Sequence, residues 1–265
     1  MPGNISGATA KVERAEKHIA ELEDELIRFG HTNPYKFGPQ RNPNTRELLY
    51  RMIEVADPPS SLAPIAGDVL QNLRSALDHL IYAFVPSPGS FTAFPIFDPA
   101  KTEESYLGKK IKGICPEGRE IVERCKPYKG GNPVLWRLHA LNLIDKHRKL
   151  TTVAASLGLL NANRHAAYLK HGSSSLLRRT ADGQHFVLRI AADIYVAPQK
   201  RICPLKAGDI ILVDPPDAEP DQDIDFTFHI AFSEPQIAEG ESVIETLHQA
   251  RDLVAEIVAA FAKLS

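Results

Sequence analysis

Arg74 and His79 stand in the run GDVLQNLRSALDHL, and His139, Asn142, Asp145, Lys146, His147 and Arg148 crowd the run LWRLHALNLIDKHRKL. A guanidinium can neutralise the charge that develops on a phosphorane. An imidazole can take up and return protons near neutral pH. Together these types fit phosphate-ester binding or metal-independent phosphodiester transfer. Asp78, four residues beyond Arg74, opens a second reading in which the arginine belongs to an ion pair on a helix flank. At about 100° per helical residue Arg74 and Asp78 fall beside the apolar stripe, whereas His79 lies about 140° from Arg74 on a polar face shared with Asn72 and Ser75.

In the second run His139, Asn142, Asp145 and Lys146 recur at helical spacing and form one polar stripe on an otherwise apolar helix, while His147 and Arg148 project elsewhere. Each unsatisfied buried group on such a stripe costs about 1–3 kcal/mol, so these side chains need partners. They read either as a network linking helices or as the second wall of a polar pocket shared with Arg74 and His79. His147 and Arg148 can also complement the negative end of the helix dipole.

A metal centre is a further reading: His79, His139 and His147 with Asp78 or Asp145 supply donor types that borderline divalent ions accept between bundle helices. None of these histidines stands in an HExxH or ExxH pair, and Arg74, Lys146 and Arg148 would repel a cation, so an anion site is preferred and neither metal nor cofactor is expected. GxGxxG, GxxxxGK[ST] and GxSxG are absent, which removes the nucleotide loops and the hydrolase elbow. Cys115, Cys125 and Cys203 form no CxxC pair and have no neighbour that would activate a thiolate. The HGSSS run at 171–175 reads as a polar turn whose amides could hold an anion.

The elements that must position these groups follow from hydrophobic period. Val12, Ala15, Ile19, Leu22, Leu26 and Phe29 mark a first helix, stopped by Gly30, with an acidic outer face read as solvated surface and Arg14 and His18 on one flank. The segment HTNPYKFGPQRNPNT reads as a loop and ELLYRMIEV as a strand. Leu70, Leu73, Leu77, Leu80 and Phe84 mark a helix over 60–84 ended by Pro86, residues 117–125 a short helix, and Pro133 opens a buried helix to Leu150. From Thr151 the runs are short and separated by Gly, Asn, Asp and Pro, and IDFTFHIAF alternates strictly, which is antiparallel sheet; Ile244 to Leu264 closes the chain as an amphipathic helix.

The fold class is therefore α+β: a bundle of about four main helices, the last C-terminal, with an antiparallel β region inserted before the final helix. The expected division is 1–150, mainly helical with the candidate site; 151–235, the β region; and 236–265, a helix returning to the first part. With 265 residues, 43% hydrophobic, and 31 Lys+Arg against 33 Asp+Glu, the chain can bury a core without staples and is not intrinsically disordered. A net charge of −2 supplies no global attraction to nucleic acid or to anionic membranes. With no signal-peptide core and no long apolar run, the protein is read as soluble and cytoplasmic, without a membrane partner.

Arg74 and His79, separated by four residues within a helix, resemble the signature of the HEPN superfamily, whose helical domains carry an Arg, four to six residues, then a His. The resemblance implies a metal-independent ribonuclease acting as a dimer, of toxin or defence type, with RNA as partner, Arg74 stabilising phosphate charge and His79 transferring protons. Asp78, Ser75, His139, Asn142, Asp145, Lys146, His147 and Arg148 would then position or support. Members often carry Asn or Asp directly after the Arg, where this chain has Ser75. A wider set of strings, GDVLQNLRSALDHL, Phe94 to Ile96, Pro127-Tyr128 and LWRLHALNLIDKHRKL, is similar to a bacterial protein family to which no activity is attached. Two rival functions stay open: a non-catalytic binding or assembly protein with a buried polar network, and a metal-binding helical-bundle enzyme.

Overall fold

A computed structural model describes residues 4–98, 108–160, 177–179, 185–187, 202–220 and 226–264. The architecture is α+β, with antiparallel strand pairs and a long C-terminal helix. The chain divides into two compact units, one of residues 1–28, 59–152 and 234–265, the other of residues 29–58 and 153–233. No helix among the described residues is long and apolar enough to cross a membrane.

The first unit is helical. Helix α1 (Ser6–Gly30) starts six residues before the apolar stripe begins, because Asn4 accepts a hydrogen bond from the Ser6 amide at 2.9 Å and so satisfies one of the donors a helix start leaves over. Helix α2 (Leu62–Phe84) is the central element. Leu70, Leu73, Leu77 and Leu80 are fully buried, each contributing about 1.5–3 kcal/mol relative to exposure. Ser61 precedes it without capping it; its hydroxyl is instead 2.9 Å from Glu25 of α1. Helices α3 (Pro116–Arg124) and α4 (Pro133–His147) each begin with the proline whose missing N–H a first turn does not need. Asn132 caps α4 by accepting from the Val134 and Leu135 amides.

Helix α5 (Val243–Ala262) packs on α2, α3 and α4, with Phe261 against Phe84 at 5.0 Å between rings. The acidic face of α1 is only partly solvated surface. Glu16 and Glu23 meet Arg251 and His248 of α5, and His18 lies buried on the apolar stripe beside Glu21 rather than on an outer flank.

The second unit holds the described strands. Strand β2 (Leu48–Val55) lies between β1 (Tyr35–Arg41) and β6 (Ile210–Asp214), antiparallel to both, with Phe37 opposite Met52 and Leu49 opposite Val213. Strand β3 (Thr152–Leu160) pairs with β7 (Phe226–Phe232), and β4 (Leu177–Arg179) with β5 (His185–Val187). Leu48, Tyr50, Leu212 and Phe226 make one core cluster, and Met52, Ala154 and Leu205 another. The Tyr35 hydroxyl is buried without a hydrogen-bond partner, and burial pushes its pKa up to about 12.

The β region before the final helix is present, and its strand β6 pairs with β2, so the three-stranded sheet also draws on β1 and β2 from between α1 and α2. Strand β1 falls where a loop was expected, because Gly38 and Pro39 read as punctuation. An edge strand tolerates a residue without an N–H, and β2 supplies its partner.

Candidate functional site

Arg74 sits on the inner side of α2, 8% exposed, and both of its terminal nitrogens are engaged. Nη1 donates to Asp78 Oδ1 at 2.7 Å and Nη2 to the Phe94 carbonyl at 2.8 Å, while the Phe94 amide donates to the same Asp78 oxygen at 2.9 Å. The three residues close a ring that fastens the segment after α2 onto the helix. Charge-assisted bonds of this kind are the stronger class. The Arg74–Asp78 ion pair weighed from the spacing is present, and it holds the guanidinium to protein acceptors.

His79, one residue on, projects to the opposite side and is exposed. It faces the first turn of α1, where a Cβ on Gly7 would lie 3.1 Å from the imidazole Nδ1. The imidazole borders a cleft of about 460 Å³ lined by Asn4, Ser6, Gly7, Asp78, Tyr82, Ala83 and Thr92. Arg74 does not line it. The Thr9 amide already returns to the Ile5 carbonyl. The Gly7 and Ala8 amides precede that first intrahelical bond and have no acceptor within the helix. The cleft therefore joins an imidazole, a phenol, two hydroxyls, the Asn4 amide, the Asp78 carboxylate that Arg74 neutralises, and the positive end of a 25-residue helix.

The polar stripe of α4 is elsewhere. Asp145 packs on Gly67, where a Cβ would come within 2.5 Å of either carboxylate oxygen, so only glycine admits this approach. Burial, and secondarily the charge of Asp68, holds the Asp145 carboxyl above its ordinary range. Gly67 and His79 are twelve residues apart on one straight helix, about 18 Å at 1.5 Å per residue. Of the two readings of the stripe, a network between helices or a pocket shared with Arg74 and His79, the second does not hold for Asp145, which does not join the His79 cleft.

The remaining stripe residues separate in the same way. His139 is half-buried, with its ring 6.2 Å from that of Trp136. Asn142 is 3% exposed, with Oδ1 lacking a hydrogen-bond partner. Lys146 and His147 are exposed near the end of α4. Arg148 reaches Glu234 at 2.7 Å. Glu234 is 1% exposed and also accepts from the Thr151 amide at 3.0 Å. This is an internal clasp. Ser75 accepts from the Gln71 amide group at 3.2 Å, along α2.

For a metal, His79 and Asp78 border the cleft, Asp145 lies at Gly67 and His147 is exposed at the far end of α4. Among the described residues no group of three or more His, Cys, Asp or Glu is placed to hold an ion. Cys125 is half-buried and its thiol is pushed up to about 11 by burial, with Arg124 acting weakly in the other direction, so it is not an activated nucleophile. The HGSSS run lies outside the described residues.

The cleft residues that the sequence reading passed over are Asn4, Ser6, Gly7, Tyr82, Ala83 and Thr92. Two signals pointed to some of them. Asn4 and Ser6 are helix-start types just before the α1 stripe, and Tyr82 follows His79 by three on the same helix face. Thr92 carries no such signal, since only the fold of the loop after α2 brings it there. No protein-family model, curated protein or solved structure matches the chain.

Proposed function

We propose that this protein binds phosphate esters at the His79 cleft, with His79 as the group that contacts phosphate and moves protons. One observation carries the reading: an exposed imidazole stands over the glycine of a helix's first turn, inside a cleft with hydroxyls on its other walls. A helix start favours negative charge, and an imidazole is a donor to phosphate when protonated and a base when not. In this reading Arg74 is a positioning residue. It anchors Asp78 and Phe94, and through them the α2 surface and the loop that carry His79 and Thr92.

RNA is the phosphate ester that the HEPN resemblance implies, and phosphodiester transfer the reaction. There His79 would accept the proton of the attacking 2′-hydroxyl as the new P–O bond forms, and a protonated partner group would supply the proton taken up by the departing 5′-oxygen. The dimer implied by the same resemblance would bring a second His79 for that role. The test is incubation of total RNA with wild type, His79→Gln and Arg74→Lys. Side-chain NMR titration of His79 with and without inorganic phosphate runs alongside. The expected result is a phosphate-dependent change in the His79 ring resonances and cleavage lost in His79→Gln alone. No phosphate response at His79 removes the cleft from the function.

A second reading has its own support. The Arg74–Asp78–Phe94 ring and the Arg148–Glu234–Thr151 clasp are internal networks of the kind that a non-catalytic binding or assembly protein would carry. Unchanged RNA in the presence of a phosphate-responsive His79 selects binding without catalysis.

A further inference from the structure

The cleft is larger than a phosphate group needs. Its volume of about 460 Å³ lies within the range of about 300–1,000 Å³ typical of sites for whole small molecules. The lining combines polar groups of Asn4, Ser6, Asp78, His79 and Thr92 with the phenol ring of Tyr82 and the methyl group of Ala83. Tyr82 is 56% exposed, an unusual setting for a large ring on a helix whose inner face is otherwise packed. It lies three residues after His79, so the ring and the imidazole share one helix face about one turn apart. An exposed ring one helical turn from an imidazole in the same cleft matches an organic phosphate whose alcohol part is flat and aromatic.

We infer that Tyr82 is a stacking platform, and that the ligand class of the cleft is a phosphate ester bearing a planar aromatic ring, held with its phosphate at His79 and the α1 start. The inference rests on the phosphate-binding reading of the same cleft and adds the ring. Two kinds of compound carry that chemistry, nucleotides and simple aryl phosphates. Stacking on a protein ring is sequence-tolerant, because every base has a π-face, so the platform by itself does not select one base. Replacing Tyr82 by Phe keeps the face and removes the hydroxyl. Replacing it by Ala removes both.

Calorimetric titration of the full chain with inorganic phosphate, ribose 5-phosphate, phenyl phosphate, and uridine and adenosine monophosphates is the test. Wild type, Tyr82→Phe, Tyr82→Ala and Phe91→Ala are compared. Phe91 is 73% exposed and adjacent to Thr92 but does not border the cleft, so its variant controls for loss of any surface ring. The expected result is that ring-bearing phosphates bind about five- to hundredfold more tightly than ribose 5-phosphate, an advantage kept in Tyr82→Phe and Phe91→Ala and lost in Tyr82→Ala, which still binds ribose 5-phosphate. Phenyl phosphate matching the nucleotides assigns the preference to any aryl ester. Phenyl phosphate at the ribose 5-phosphate level assigns it to the nucleobase. Equal affinities for ribose 5-phosphate and the nucleotides, or a Tyr82→Ala protein that keeps the advantage, overturn the stacking role and leave phosphate binding standing. Absence of binding by all five compounds overturns the cleft reading itself, and the stacking role with it.

Discussion

The imidazole of His79 rests over the Cα of Gly7, so that a methyl group added there would meet Nδ1 at 3.1 Å. That spacing is slightly too tight for a side chain, and it couples the later part of α2 to the beginning of α1. Gly7→Ala tests it with opposite signs on two measurements. Alanine favours a helix interior over glycine by up to about 1 kcal/mol, so Tm is expected to hold or rise. The displaced imidazole should bind phosphate at least threefold more weakly. A variant that binds phosphate as wild type does shows that the approach of His79 to α1 is incidental.

Arg74 answers to a different measurement. Arg74→Ala leaves the Phe94 carbonyl with only the Ile96 amide, and the Asp78 carboxylate with only the Phe94 amide, as donor. Asp78 is partly in water, so the expected loss is about 2–4 kcal/mol in urea unfolding, at the lower end of what broken buried pairs cost. Arg74→Lys, with one ammonium in place of a fork, should recover part of this. A double-mutant cycle with Asp78→Asn should give a coupling energy of at least about 1 kcal/mol. Additive losses would show that the ring is not a unit.

Arg148 is largely exposed, yet its removal should be expensive in stability. Without it the Glu234 charge stays in the interior with only the Thr151 amide as partner. Arg148→Ala is expected to destabilise by about 3 kcal/mol, and Glu234→Gln placed on that background to restore at least half of it, since the amide keeps an acceptor for Thr151 and carries no charge. Thermal or urea unfolding of the three variants decides. A silent Arg148→Ala would mean that the clasp contributes nothing.

Asp145 makes stability depend on pH in the less common direction. Its folded carboxyl holds a proton more tightly than the unfolded chain, because of burial against Gly67 and then the neighbouring Asp68. Its contribution is therefore most favourable below the unfolded value of about 3.9 and is lost as pH rises through the raised folded value. Asp145→Asn removes the charge. It should be more stable than wild type at pH 7, by about 0.3–1 kcal/mol given solvent screening, and the gap should close toward pH 4. A gap that widens on acidification would reverse the assigned sign.

How much of this was legible in the sequence varies with the range of the interaction. The α2 stripe, the C-terminal helix and the strand β7 follow from residue period, because burying one face demands it, whereas α4, read as largely buried, buries one face and exposes Leu143, Lys146 and His147. The Arg74–Asp78 pair was legible for the same reason, since i and i+4 are neighbours on any helix. The β1 strand was not, because its hydrogen-bond partners lie in β2 and its own residues prefer turns. Gly67 looked like any helical glycine until Asp145 was found against it.

The sequence by itself determined which side chains carry chemistry and which helix faces they occupy, since local geometry is set by backbone period alone. Only the tertiary structure decided which of those faces meet. It set Asp145 against Gly67, twelve residues along α2 from His79, closed Arg74 onto Phe94, and brought Gly7 under His79. Such meetings depend on contacts between residues far apart in the chain, and no local pattern encodes them.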